Sequence, residues 1–134
     1  MTLEKVSTMP KKQKYQVEFQ MHSSPKILYN YLSNPSGLEE WFADNVSVKD
    51  GVYTFKWEGS ESKAKMVHKR DGQMVKFKWL DDPDDAFFEF EILTDDLTSD
   101  VALLITDFAL PEDKEESERL WDTQIHSLRQ IIGS

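Results

Sequence analysis

Few residues of this 134-residue chain have types and spacings that could do chemistry. There is no cysteine, so thiol catalysis, disulfides and cysteine-bound metals are excluded. Of the three histidines, His22 ends a strand-like segment, His68 lies inside one, and His126 stands off the apolar stripe of the last helix. None is paired at the i, i+4 spacing of a helical metal site. His22 and His126 read as surface residues. His68 is the candidate, because alternation through "SKAKMVHKR" sets it with Ala64 and Met66 on the inward face, where a titratable ring could bind or polarise a ligand. Asp107, in "ITDFAL", points inward if it shares parity with Leu103 and Ile105, and a buried carboxylate demands a partner or a raised pKa. Paired with His68, Asp107 could form an acid–base set; the plainer reading is an end-of-strand carboxylate bonded to backbone or solvent. Asp81, Asp82, Asp84 and Asp85 in "DDPDD" offer oxygen ligands, but no EF-hand spacing and no glycine for a ligand loop, and Asp and Pro also suit turns. No nucleophile elbow or phosphate-binding glycine loop occurs, so no cofactor and no metal is expected.

The aromatic residues carry more signal. The chain has eight Phe, four Trp and four Tyr, and alternation sends Phe55, Trp57, Phe77, Trp79, Phe88 and Phe90 to inward faces. Such residues fill the space between a sheet and a helix, or line a mostly apolar pocket. The pocket reading takes as its lining Trp41, Phe55, Trp57, Met66, His68, Phe77, Trp79, Phe88, Phe90, Trp121, Ile125 and Leu128.

The elements that would position these residues follow from periodicity. "YQVEFQM" alternates as a half-buried strand. Ser24-Pro25 and Asn34-Pro35 are two helix starts, each a capping side chain followed by proline at the first helical position. The second helix runs to about Phe42, with Leu38 and Trp41 on one face, which plugs one end of the core and sets Trp41 beside the mouth of any pocket. Six strands follow, with Asp50-Gly51 and Asp71-Gly72 marking tight hairpins. The last strand, "VALLITDFAL", is apolar on both faces, so its parity is ambiguous. From Asp113 the pattern is helical: Asp113 and Glu116 have capping-box spacing, Trp121, Ile125, Leu128 and Ile132 form a stripe that Leu120 and Ile131 widen, and Gly133 ends it. Each of the other strands buries one face, so an antiparallel sheet with one wet side is expected, covered by the long helix. The fold class is α+β, a curved antiparallel sheet in the order β-α-α-β6-α wrapped around a C-terminal helix. Residues 1–12 read as a flexible tail and 13–134 as a single domain.

The formal charge of −9 disfavours nucleic acid and an anionic membrane surface, and no apolar run could span a bilayer. With no apolar leader, a cytoplasmic location is expected.

The order of elements resembles the START-like (SRPBCC, helix-grip) superfamily. "SPKILYNYLSNPSGLEEWFADNV" is similar to the helix-pair signature of its small members related to the activator of the heat-shock chaperone ATPase, with Asn34, Pro35, Leu38 and Trp41 matching a D/N-P-x-x-L-x-x-W pattern. "FKWEGS", "VKFKWLDD", "ITDF" and "LWDTQIHSL" also look like the corresponding segments, so the resemblance covers roughly residues 13 to 133. It implies the helix-grip fold and three readings. The first is a non-enzymatic module holding a hydrophobic small molecule or lipid between sheet and last helix. The second is a cochaperone-like role, with a chaperone or homodimer contact. The third is a cyclase- or hydrolase-like enzyme using His68 and Asp107.

Overall fold

The computed structural model describes residues 11–133. The elements are β1 (Gln13–Met21), α1 (Pro25–Ser33), α2 (Pro35–Trp41), β2 (Asn45–Lys49), β3 (Val52–Trp57), β4 (Ser60–Arg70), β5 (Met74–Trp79), β6 (Phe87–Thr94), β7 (Val101–Ala109) and α3 (Lys114–Ile132). The seven strands form one antiparallel sheet in the order β1-β7-β6-β5-β4-β3-β2, so the first strand closes against the last of a six-strand meander. The sheet curves around α3, which at 19 residues is about 28 Å long and lies across it. This is the helix-grip arrangement expected from the sequence. Of the predicted tail, residues 1–10 fall outside the described residues, while Lys12 pairs with Asp82 just before β1 begins.

Local chemistry explains the elements. The Ser24 hydroxyl caps α1 by accepting from the Ile27 amide at 3.3 Å. Asn34 makes no such side-chain bond, nor does Asp113, whose expected capping box is replaced by a 3-10 turn over Pro111–Asp113. At the Asp50-Gly51 turn both residues take positive φ, 53° and 80°, as a two-residue hairpin requires. Gly37 serves a different need: a Cβ there would lie 2.3 Å from the Asn30 carbonyl oxygen, so the missing side chain lets α2 close onto α1.

The core lies between the sheet and its three helices. Phe55, Val75, Phe77, Phe90, Leu103, Ile105, Ile125 and Leu128 are fully buried, as are Leu28, Leu32 and Leu38 from the helix pair. On β4 the inner face carries only small or flexible residues. Ala64 there lets rings from β3 and β5 meet above it, Tyr53 and Phe77 at 5.0 Å between centroids and Phe55 and Phe77 at 6.0 Å. The stripe of α3 is narrower than its sequence suggests: Trp121, Ile125 and Leu128 are buried, whereas Leu120 is 59% and Ile131 38% exposed. The ambiguous strand β7 is resolved as well. Leu103 and Ile105 face the core, and Thr106 turns to the outer face, where it accepts a 3.0 Å hydrogen bond from Gln16.

Candidate functional site

Where β3 and β5 run out, the sealed core gives way to a cleft of about 330 Å³ lined by Phe42, Trp57, Trp79, Asp107, Ser117, Leu120, Trp121 and Gln124. Four elements and one junction build it. Trp57 and Trp79 are the last residues of β3 and β5, Asp107 comes from the end of β7, and α3 supplies the rest except Phe42, which ends α2.

Phe42 is the keystone of the wall. Its ring stacks on Trp121 at 5.9 Å and 17° and meets Phe55 edge-on at 5.1 Å. Its carbonyl accepts from the Trp57 indole at 2.8 Å and from the Gln124 amide at 3.1 Å, tying the helix pair to both the sheet and α3. Trp79 rests on Phe88 at 4.9 Å. The rings are thus held by packing below and hydrogen bonds behind.

Among the described residues, Asp107 brings the only formal charge to the lining. Its Oδ2 accepts from the Trp121 indole at 2.8 Å and, at 3.4 Å, from the Tyr15 hydroxyl, and its Oδ1 accepts from the Phe108 amide at 2.7 Å. Tyr15 is also in contact with the Ser117 hydroxyl. Burial still prevails over these donors and raises the carboxyl pKa above its ordinary value. Burial, with the Asp107 charge adding to it, pushes the Tyr15 hydroxyl up to about 12, so it keeps its proton and remains a donor.

Asp107 faces inward, as parity with Leu103 and Ile105 requires, but His68 does not join it. The register of β4 against β5 shifts between Met66 and His68, so Val67 is the extra residue of a bulge and parity inverts beyond it. His68 then stands opposite Lys76, in the row that continues through Glu89 to the outward-facing Thr106. It is exposed, on the wrong face for Asp107, and two strands separate β4 from β7. The acid–base pair is therefore not formed. His22 and His126 are exposed as expected. The acidic pentapeptide is a turn: Asp82 accepts from the Asp84 amide at 2.7 Å and pairs with Lys12, and Asp85 faces Lys78 at 3.3 Å. Among the described residues no group of three metal-binding side chains exists.

Of the twelve residues expected to line a pocket, the structure brings Trp57, Trp79 and Trp121 to the cleft. Phe55, Phe77, Phe88, Phe90, Ile125 and Leu128 are at most 1% exposed and fill the space a deeper cavity would occupy. Met66 packs against this core, and Trp41 is buried with its indole donating to the Tyr31 carbonyl at 2.7 Å. The residue at the cleft is its neighbour Phe42. Leu38 and Phe42 are four apart and equally consistent with one helical face, a spacing that could have identified it. Ser117, Leu120 and Gln124 were hidden by their moderate polarity or their place at the stripe's edge.

A family model described as a START-like superfamily domain matches residues 9–134. A search of curated proteins gives no match. Among solved structures, the solution structure of BfR322 from Bacteroides fragilis is 36% identical, with a TM-score of 0.64 over 90% of this chain and 91% of that one. The Aha1 dimer from Colwellia psychrerythraea is 15% identical, with a TM-score of 0.76 over 90% of this chain and 96% of that one. DynU16, a protein in the dynemicin biosynthetic locus, is 12% identical, with a TM-score of 0.74 over 90% of this chain and 47% of that one. At these identities the last two share the fold alone.

Proposed function

The chain belongs to the START-like superfamily, and on that premise we propose that it is a non-enzymatic binding module whose aromatic cleft takes up a hydrophobic small molecule. The observation that carries this reading is the lining: one phenylalanine and three tryptophans around about 330 Å³, with one half-buried carboxylate among the described lining residues. A mostly apolar concavity with a few fixed polar groups is what binds small molecules, and this volume lies at the low end of the usual range of roughly 300–1,000 Å³. A compact ligand of a few rings fits better than a two-chain lipid. No covalent chemistry is implied: among the described residues the titratable side chain hydrogen-bonded to Asp107 is Tyr15, which keeps its proton and acts as a donor.

The test is direct. Three of the four tryptophans line the cleft, so a ligand there should change intrinsic fluorescence. Nile red, an uncharged apolar dye, should bind with one-to-one stoichiometry, and Leu120→Glu should weaken it at least several-fold by placing a charge on the cleft's exposed rim. Equal uptake by the wild type and Leu120→Glu would put the dye elsewhere and remove the support for this site.

A further inference from the structure

Resting on that reading of the cleft, we propose that its ligands are hydrophobic cations: small aromatic or alkyl amines and quaternary ammonium compounds. Three features of the site converge on this class. The walls are built by Phe42, Trp57, Trp79 and Trp121, and aromatic rings attract cations through their quadrupoles, tryptophan most strongly. Among the described residues the one formally charged lining side chain is an aspartate, and no lysine, arginine or histidine lines the cleft. Lys12, whose charge acts on Asp107 only weakly, is itself paired with Asp82.

The state of Asp107 sharpens the choice. Three protein donors reach its oxygens, yet burial outweighs them, so the negative charge is incompletely compensated. A neutral apolar ligand would strip the remaining water from this group and offer nothing in return. An anion would be repelled by it and by the −9 charge of the chain. A cation with an apolar body satisfies the carboxylate and the rings together, and its exclusion from water strengthens both attractions.

The experiment compares benzyltrimethylammonium with neopentylbenzene, which has the same shape with carbon in place of the charged nitrogen. Binding is followed by intrinsic fluorescence and by displacement of Nile red, for the wild type and for Asp107→Asn, whose side-chain oxygen can still accept from the Trp121 indole. The cation is expected to bind the wild type at least about tenfold more tightly than the neutral isostere, and to lose most of that advantage in Asp107→Asn while the isostere is little changed. Trp57→Leu gives a second reading if the Asn variant folds poorly: it should weaken the cation more than the isostere. If the isostere binds as tightly as the cation, the cation preference is overturned and the apolar-ligand reading stands. If neither compound nor Nile red binds, both readings fall.

Discussion

Along β3 and β5 the same inward alternation ends in two different ways. In mid-strand, Phe55 and Phe77 are completely buried, whereas two residues further on Trp57 and Trp79 are only partly covered. The side chains are all large, aromatic and inward; what differs is the lid. Over mid-sheet the helix pair adds a second covering to α3, with α1 packed on β5 and β6 and α2 on β2 and on α3. At the strand ends only Phe42 and the first turns of α3 remain; Phe42 meets Trp57 edge-on at 5.6 Å, yet both Trp57 and Trp79 stay only partly covered. A fully covered aromatic layer becomes core, and a half-covered one becomes a site. Cutting into each region should therefore give opposite profiles of stability and binding.

The largest effect belongs to the covered region. Phe55→Ala removes a fully buried ring that touches Tyr53, Phe42, Phe77 and Phe88. It should cost about 3–5 kcal/mol in urea unfolding. A loss under about 1 kcal/mol would mean that this layer is not packed as described.

Next comes the hinge between the regions. Gly37→Ala would place a Cβ 2.7 Å from the Tyr31 α-carbon as well as 2.3 Å from the Asn30 carbonyl oxygen, both backbone atoms that cannot swing aside. The helices must separate, at a cost of roughly 1–3 kcal/mol. Because α2 ends at Phe42, the same change should also loosen the cleft wall and weaken Nile red binding. An unaltered melting temperature would show that α1 and α2 are not in such close contact.

The uncovered region should answer the other way. Trp79→Leu trims a partly exposed ring, so stability should fall by only about 1 kcal/mol. Ligand uptake should drop by roughly tenfold, since one wall of the cleft is lost. A large stability loss with unchanged binding would erase the distinction between the two regions.

This contrast marks the limit of what the sequence discloses. Alternation in "VYTFKW" and "VKFKWL" names the inward residues of β3 and β5 correctly, because period two is a local property of a strand. The Asp-Gly turn and the terminal Gly133, in left-handed conformation at φ 72°, are equally local. Whether an inward tryptophan is sealed or open depends on where a helix that begins 57 residues after Trp57 and 35 after Trp79 comes to lie, and no window of sequence contains that. His68 fails for a related reason: one extra residue at Val67 inverts parity, and a bulge leaves no signature in "KMVHK". Phe42 was masked by Trp41 beside it, since only the tertiary fold decides which of two adjacent aromatics caps the core and which lines the cleft.

The smallest effect tests what holds the cleft's carboxylate. Burial keeps the Asp107 carboxyl pKa above its ordinary value of 3.8, against the hydrogen bonds from Phe108, Trp121 and Tyr15 that favour the anion. The folded protein then binds this proton more tightly than the unfolded chain does. Its contribution to stability is intact below about pH 3.8 and is lost as pH rises through the folded value. Asp107→Asn has no proton to release. The stability of the variant relative to the wild type should therefore climb with pH across that window and then level off, as read from urea unfolding at a series of pH values. If the three hydrogen bonds outweighed burial, the folded pKa would be depressed and the difference would run in the opposite direction. Saturating benzyltrimethylammonium should produce that reversal in the wild type, because a bound cation favours the ionised carboxylate, and it should leave the shape of the Asn variant's profile unchanged.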